Sequence, residues 1–172
     1  MDRRELLKHK TTPKILPGGE VVFSRGHKLP KPLDRVVRSS RTSTTKLINV
    51  SDRHSVCFLF RDADTWTRSA FFAWLLHQQG KAYTAVAAFH YHPSHKPPHI
   101  LMPCDEDDDV DHGTLHTCSE LLLRDADTPP DPRTEEGRLK LIQLFCQSAG
   151  IQIKKDDSDD AAANQELDLR PI

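Results

Sequence analysis

The chain has 172 residues, enough for one ordinary domain, and 37% of them are hydrophobic. That fraction lies below the globular average of roughly 45–50%, which indicates a compact core accompanied by chain that does not enter it. No apolar run is long enough to span a bilayer and no apolar signal segment begins the chain. We therefore exclude a transmembrane helix and expect an intracellular protein in a cytoplasm-like, reducing compartment.

Charge is distributed unevenly, although the net charge is −1. Residues 1–54 hold 13 Lys and Arg against 5 Asp and Glu, whereas residues 105–172 hold 7 against 18. The basic third could approach a polyanion that the acidic third would repel. Alternatively, the two charged blocks bind no polyanion: each is a solvated face, or the two blocks pair with each other.

The sequence pattern predicts three segments in chain order. Residues 1–44 contain several prolines, the pair Gly18–Gly19 and a polar Ser/Thr run. They predict a basic, mostly irregular N-terminal arm with one short strand at Glu20–Ser24. Residues 45–154 predict an α+β core domain, and residues 155–172 predict an acidic disordered tail.

Within the core, the pattern predicts two helices and several short strands. Asp64 begins a predicted helix over Thr65–Gln79, whose aromatic residues cover more than one face, and Gly80 ends it. Thr134 begins a second helix that Gly150 ends. The predicted strands are Lys46–Val50, Ser55–Phe60, Tyr83–Tyr91, His99–Met102 and Ile151–Lys154. From Ser55 onward this order predicts a small antiparallel sheet with two helices, and it matches the split βαβ arrangement of ferredoxin-like domains.

Potential metal ligands are concentrated between His90 and Cys118. His90 and His92 would point to the same side of a strand, because side chains there alternate with period two. Imidazole and thiolate are the ligands that zinc prefers in tetrahedral sites. The prediction is a structural zinc site with these candidate ligands: His90, His92, His95, His99, Cys104, His112, His116 and Cys118. A polar Pro/His-rich hairpin without an ion is the alternative.

The triplet His90-Tyr91-His92 at a strand end resembles the motif of the HUH replication and mobilisation endonucleases. The resemblance implies a ferredoxin-like core and a divalent metal held by the two histidines. Those enzymes attack DNA with a tyrosine on a later helix, and no tyrosine follows the triplet in this sequence.

The triplet and the proline that follows it form the stretch His90–Pro93. This stretch is also similar to the first part of the JAMM metal-dependent isopeptidase motif. Pro103–Asp107 is similar to the second part, with Cys104 where that family has serine. This resemblance implies that Asp107 would be a third ligand and that an upstream glutamate would activate a metal-bound water. Glu20 is the only glutamate between the first turn of the chain and the motif. The alternative function is therefore a metal-dependent hydrolase or nuclease that uses His90 and His92.

The N-terminal arm carries basic residues at short intervals among Pro, Ser and Thr. Such a segment can follow a phosphate backbone and release its counterions, or dock on an acidic protein surface. The candidate nucleic-acid-binding residues are Arg25, Lys28, Lys31, Arg35, Arg38, Arg41 and Lys46. In the predicted aromatic helix, Trp66 and Trp74 are candidate contacts to a protein partner. We expect a non-catalytic binding module, associated with nucleic acid or with a larger assembly, and a pure protein-interaction subunit remains open.

Overall fold

The structure is a computed structural model that describes residues 3–18, 21–36, 40–93, 99–101 and 130–154. It has mixed sheet and helix content, so the predicted α+β class is confirmed. Single 3-10 turns lie at Leu33–Arg35 and Trp66–Arg68. The other elements are α1 (Arg3–Thr11), β1 (Ile15–Leu16), β2 (Thr42–Thr44), β3 (Ile48–Ser51), β4 (His54–Arg61), β5 (Ala70–Gln79), β6 (Ala82–Tyr91), β7 (His99–Leu101), α2 (Glu135–Ser148) and β8 (Gln152–Ile153).

The main sheet is antiparallel, in the order β2-β4-β5-β6-β7, and β3 pairs with the same edge of β4 as β2 does. Strand β4 pairs with β5 along its whole length, from His54 opposite His77 to Arg61 opposite Ala70. A separate two-stranded parallel sheet joins β1 to β8. Because β4, β5, β6 and β7 follow one another both in sequence and in the sheet, the split βαβ arrangement is not confirmed.

The helix predicted over Thr65–Gln79 is wrong, because most of this segment is strand β5 at the centre of the sheet. Its side chains alternate between two hydrophobic clusters, with Phe71 in one and Trp74 in the other. A strand that is covered on both faces has a continuous apolar sequence, which periodicity does not distinguish from a buried helix. Gly80 has the predicted positive φ, 62°, but it lies in the turn from β5 to β6.

Both faces of the main sheet are covered. On one face, Phe145 of α2 packs against Phe58 and Phe89, with ring centroids 5.9 and 6.5 Å away. On the other face, Leu29 and Leu33 pack into a cluster with β4, β5 and β6. Burying each of these large apolar side chains stabilises the fold by about 1.5–3 kcal/mol. Residues 29–33 of the predicted arm are therefore part of the folded body.

Helix α1 also lies in the segment that the sequence predicts to be mostly irregular. Leu, Lys, Arg and Glu are strong helix formers, and acidic Glu5 near its start and basic Lys8 near its end complement the helix dipole. The strand predicted at Glu20–Ser24 is reduced, among the described residues, to an isolated bridge between Ser24 and Thr44.

Lys14 fixes the C-terminal end of α1. Its side chain is 1% exposed, and its Nζ donates hydrogen bonds to the carbonyl oxygens of His9, Lys10 and Thr12. The last carbonyls of a helix have no partner within the helix, so one ammonium group satisfies two of them, together with the carbonyl of Thr12 just after the helix. Burial lowers the pKa of Lys14 to about 8, which still leaves the ammonium form dominant at pH 7.

Helix α2 begins and ends where the sequence predicts. The Gly137 N–H donates to Thr134 Oγ1 at 3.0 Å, and Gly150 follows the helix with a φ of 66°. Gly150 also lies against α1, because a Cβ atom built on it would be 2.2 Å from the carbonyl oxygen of Lys10. The ends of the two helices are therefore in direct backbone contact.

A buried hydrogen bond joins the end of β6 to the segment before α2. Tyr91 Oη donates to the carbonyl oxygen of Pro130 at 2.8 Å. The predicted acidic tail, residues 155–172, lies outside the described residues. Neither helix in the described part of the chain has both the length and the apolar character needed to cross a membrane.

Candidate metal centre

Three histidines from three separate elements meet at one end of the main sheet. His54 begins β4, His77 lies directly opposite it on β5, and His9 lies in the last turn of α1. Directly opposed residues of an antiparallel pair place their side chains on the same face, so His54 and His77 are neighbours. The last turn of α1 places the ring of His9 against these two rings. We call His9, His54 and His77 the histidine triad.

The three rings of the triad are in mutual contact. The ring centroids are 5.2 Å apart for His9 and His54, 4.5 Å for His9 and His77, and 5.1 Å for His54 and His77. One nitrogen from each ring can be chosen so that all three lie within 4.8 Å of one another. Zinc–nitrogen bonds of about 2.0–2.1 Å place tetrahedral ligands roughly 3.3 Å apart. Small ring movements would therefore bring the three nitrogens to bonding distance of one ion.

Hydrogen bonding orients one member of the triad and leaves nitrogens of the other two unsatisfied. Ser51 Oγ is 2.9 Å from His54 Nδ1, and His9 Nδ1 is 3.0 Å from His54 Nε2. His9 Nε2 and His77 Nδ1 are buried and have no hydrogen-bond partner in the described part of the chain. Buried polar groups almost always have a partner. A metal ion bound at both nitrogens would satisfy them. The nitrogen of His54 left for the ion is Nε2, which would exchange its contact with His9 Nδ1 for the ion, while Ser51 holds the Nδ1 proton of His54 as neighbours of metal-bound histidines commonly do.

The surroundings of the triad keep two of its rings neutral. Burial lowers the pKa of His54 to about 4, and electrostatic interactions with His9, Lys14 and His77, which disfavour a further positive charge, act in the same direction. Burial also lowers the pKa of His9, assisted by His77 and Lys14 and opposed by the carboxylate of Glu5. Neutral imidazole is the form that binds a metal, so these two rings need not lose a proton at pH 7 before they bind one.

A surface depression borders the triad at His77. The backbone N–H of Gln78 donates to the carbonyl oxygen of Arg53 at 2.8 Å, which joins β5 to the turn between β3 and β4. Gln78 Nε2 donates to the carbonyl oxygen of Gly80 at 2.9 Å. These bonds fix the wall of the depression, which is lined by Asp52, Arg53, His77, Gln78, Gln79 and Gly80.

The zinc ligands predicted between His90 and Cys118 are only partly described. His90 and His92 pack edge-on against the ring of Phe72, with centroids 5.1 and 5.4 Å away, so they share one face of the strand end as predicted. The backbone of His99 pairs with that of His90. Among the described residues the triad is the group that could hold an ion, and neither His90 nor His92 belongs to it. The predicted ligands outside the described residues are His95, Cys104, His112, His116 and Cys118.

The basic residues of the predicted nucleic-acid site lie on the surface wherever they are described. Arg38 lies outside the described residues, and an ion pair joins Arg41 Nη1 to Asp64 Oδ2 at 2.9 Å. The exposed side chains are those of Arg25, Lys28, Lys31, Arg35, Arg41 and Lys46. Arg25, Lys28, Lys31 and Arg35 lie close in sequence to Leu29 and Leu33, which pack against the sheet.

The two candidate partner-binding tryptophans differ in exposure. Trp74 is 7% exposed and stacks on Phe72 with ring centroids 5.9 Å apart, so it contributes to the core rather than to a free surface. Trp66 is partly exposed in its 3-10 turn.

The chain matches no protein-family model, no curated protein and no solved structure. The function of the protein is therefore inferred from the chemistry of its described residues. Their least ordinary feature is the histidine triad, which the sequence pattern does not reveal because its members come from distant parts of the chain. The pairing register of β4 and β5 could have located His54 and His77, because it places them opposite each other. That register can be predicted only if β5 is recognised as a strand.

Proposed function

We propose that this protein is a metal-binding module whose site is the histidine triad, and that zinc is its ion. The observation that carries the proposal is that two buried ring nitrogens, on His9 and His77, have no hydrogen-bond partner among the described residues, within a triad in which one nitrogen of each ring lies within 4.8 Å of the others. Three imidazoles suit zinc, whose sites commonly contain histidine and impose no geometric preference from d electrons.

In this proposal the ion has a non-catalytic role, which is to join α1 to the main sheet. The three ligands come from α1, β4 and β5, which the chain brings together only when it is folded. An ion that binds the native state alone stabilises it by mass action, by about 2.7 kcal/mol when its free concentration is 100 times its dissociation constant. Removal of the metal with a chelator would loosen α1 first.

The direct test is the metal content of untagged protein purified with zinc present, measured by elemental analysis. We expect about one zinc per chain in the wild type, and His54→Ala should weaken zinc binding about 100-fold or more because it removes a ligand from the centre of the site. A double variant, His90→Ala and His92→Ala, is the matched control. It removes two imidazoles that lie outside the triad, and it should retain that zinc.

The same measurement separates the triad from the site predicted in the sequence between His90 and Cys118. Zinc lost from the double variant but retained by His54→Ala would place the ion in that segment and would refute the triad. Absence of zinc from the wild type would refute both sites. Circular dichroism of each variant must show the wild-type spectrum, so that a loss of zinc is not a loss of fold.

A second proposal is that the basic surface around Leu29 and Leu33 binds nucleic acid. It is supported by the exposure of the basic side chains, on a segment that is fixed to the sheet. We expect duplex DNA affinity to fall as salt rises, with a log–log slope of about −0.9 for each phosphate contacted. A triple change, Lys28→Gln, Lys31→Gln and Arg35→Gln, should weaken binding at least 10-fold.

The matched control for the nucleic-acid test removes the same charge elsewhere on the surface. Its three changes are Arg68→Gln, Lys81→Gln and Lys154→Gln, all at exposed positions. If both triple variants weaken binding equally, the attraction depends only on net charge and the proposed surface is wrong. Binding that is unchanged in the first variant would also exclude it.

A further inference from the structure

Three imidazoles do not complete the coordination of zinc. Tetrahedral zinc has four ligands, and sites with three protein ligands hold a water molecule or another ligand in the fourth position. Among the described residues, no cysteine, carboxylate or further histidine joins the triad as a ligand group. His9 and His54 are 8% and 4% exposed, whereas His77 is partly exposed and lines the surface depression. A fourth ligand would therefore reach the ion from the depression, past His77.

The lining of the depression favours negative charge. Arg53 lines the depression with an exposed side chain, and its guanidinium forms no hydrogen bond or ion pair with another residue in the described part of the chain. Asp52 also lines the depression and forms no ion pair with Arg53 within that same part of the chain. A divalent ion held by three neutral imidazoles would add two positive charges, so the single carboxylate would not neutralise the site. Guanidinium matches the geometry of carboxylate and phosphate oxygens.

We infer that the depression binds a small oxyanion, a carboxylate or a phosphate group, between the metal ion and Arg53. One oxygen of the anion occupies the fourth coordination position, and the Arg53 guanidinium donates hydrogen bonds to another oxygen. This inference rests on the proposed metal site. It turns the triad from an internal cross-link into a site that also recognises a ligand from solution.

The test uses the full chain loaded with Co²⁺, whose visible spectrum changes when its coordination sphere changes. Acetate and inorganic phosphate are titrated separately into the loaded protein. We expect a saturable spectral change with at least one of them. Arg53→Gln should weaken that response about 10-fold while Co²⁺ uptake stays unchanged, because the arginine contacts the anion and not the metal. Lys81→Gln is the matched control, since it removes an exposed cation next to the depression that does not line it.

The possible outcomes separate this inference from the metal site on which it rests. If the wild type takes up no Co²⁺, both proposals fail. If it takes up Co²⁺ but neither anion alters the spectrum, only the oxyanion site fails. A response that appears only in Asp52→Asn would show that Asp52 closes the coordination sphere, which also overturns the inference. A response to acetate alone identifies a carboxylate ligand, and a response to phosphate alone identifies a phosphate group.

Discussion

Gly150→Ala should lower the free energy of unfolding by about 3 kcal/mol and should also weaken zinc binding. Alanine at a φ of 66° costs about 1–2 kcal/mol. The added Cβ would lie 2.2 Å from the carbonyl oxygen of Lys10, so the backbone at the end of α1 or α2 must move. His9 precedes Lys10 in α1, and a displaced helix end moves its ring away from the other two histidines. Urea denaturation and a zinc titration measure the two effects.

Gly80→Ala is the matched control for this prediction. Gly80 has nearly the same φ, 62°, but an added Cβ would meet nothing within 4 Å. It should therefore cost only the backbone strain, about 1–2 kcal/mol, and should leave zinc affinity unchanged. Equal losses of stability in the two variants would show that the contact between the helix ends carries no energy. Unchanged zinc affinity in Gly150→Ala would show that the position of His9 does not depend on it.

Acid should destabilise the metal-free protein, by about 2 kcal/mol between pH 7.5 and pH 5, through His54. The pKa of His54 is lowered by burial from 6.5 to about 4 in the folded protein. Between these two values the unfolded chain binds a proton that the folded chain does not, so stability rises with pH there and falls as pH drops. The full contribution of His54 to the free energy of unfolding is present above about pH 6.5, and it is lost progressively as the pH falls to about 4.

Urea denaturation in the presence of a chelator, at pH 7.5 and pH 5, measures this loss. The free energy of unfolding of His54→Gln should fall less between pH 7.5 and pH 5 than that of the wild type, by about 2 kcal/mol, because glutamine does not titrate. When the loss of the variant is subtracted from that of the wild type, the contributions of other titrating groups cancel, provided that the substitution does not disturb them. Equal losses in wild type and variant would mean that His54 is protonated as easily in the folded state as in the unfolded state.

The sequence predicts much of the sheet and one helix, and it fails where local pattern is ambiguous. Helix α2 is predicted because Thr134 and Gly150 are recognisable end signals around an amphipathic segment. Strand β5 is not, because its aromatic residues pack on both faces and its sequence carries no alternation of polar and apolar residues. Helix α1 is followed by a stretch with prolines and a glycine pair, which predicts irregular chain, and the side chain that satisfies its last carbonyls, Lys14, lies beyond the helix itself.

The candidate site could not be predicted from the sequence for a related reason. Potential ligands are dense in sequence between His90 and Cys118, so this segment stands out in the sequence. The members of the triad are far apart in sequence, and only the fold brings them together. His9 and His54 are 45 positions apart. The wrong assignment of β5 also hid His77, because a helix at that position removes the cross-strand pairing with His54. An error about one strand thus becomes an error about the site.

The hydrogen bond between Tyr91 and Pro130 has a consequence for how this protein can change in evolution. It brings the chain back, at residue 130, to the point that it left at residue 91, so the two ends of the intervening stretch meet on the folded body. If Tyr91 were replaced by a residue without a donor, the buried carbonyl oxygen of Pro130 would lose its partner, at a cost of about 1–3 kcal/mol. A change at the end of β6 is therefore also felt just before α2, and selection at these two places is coupled.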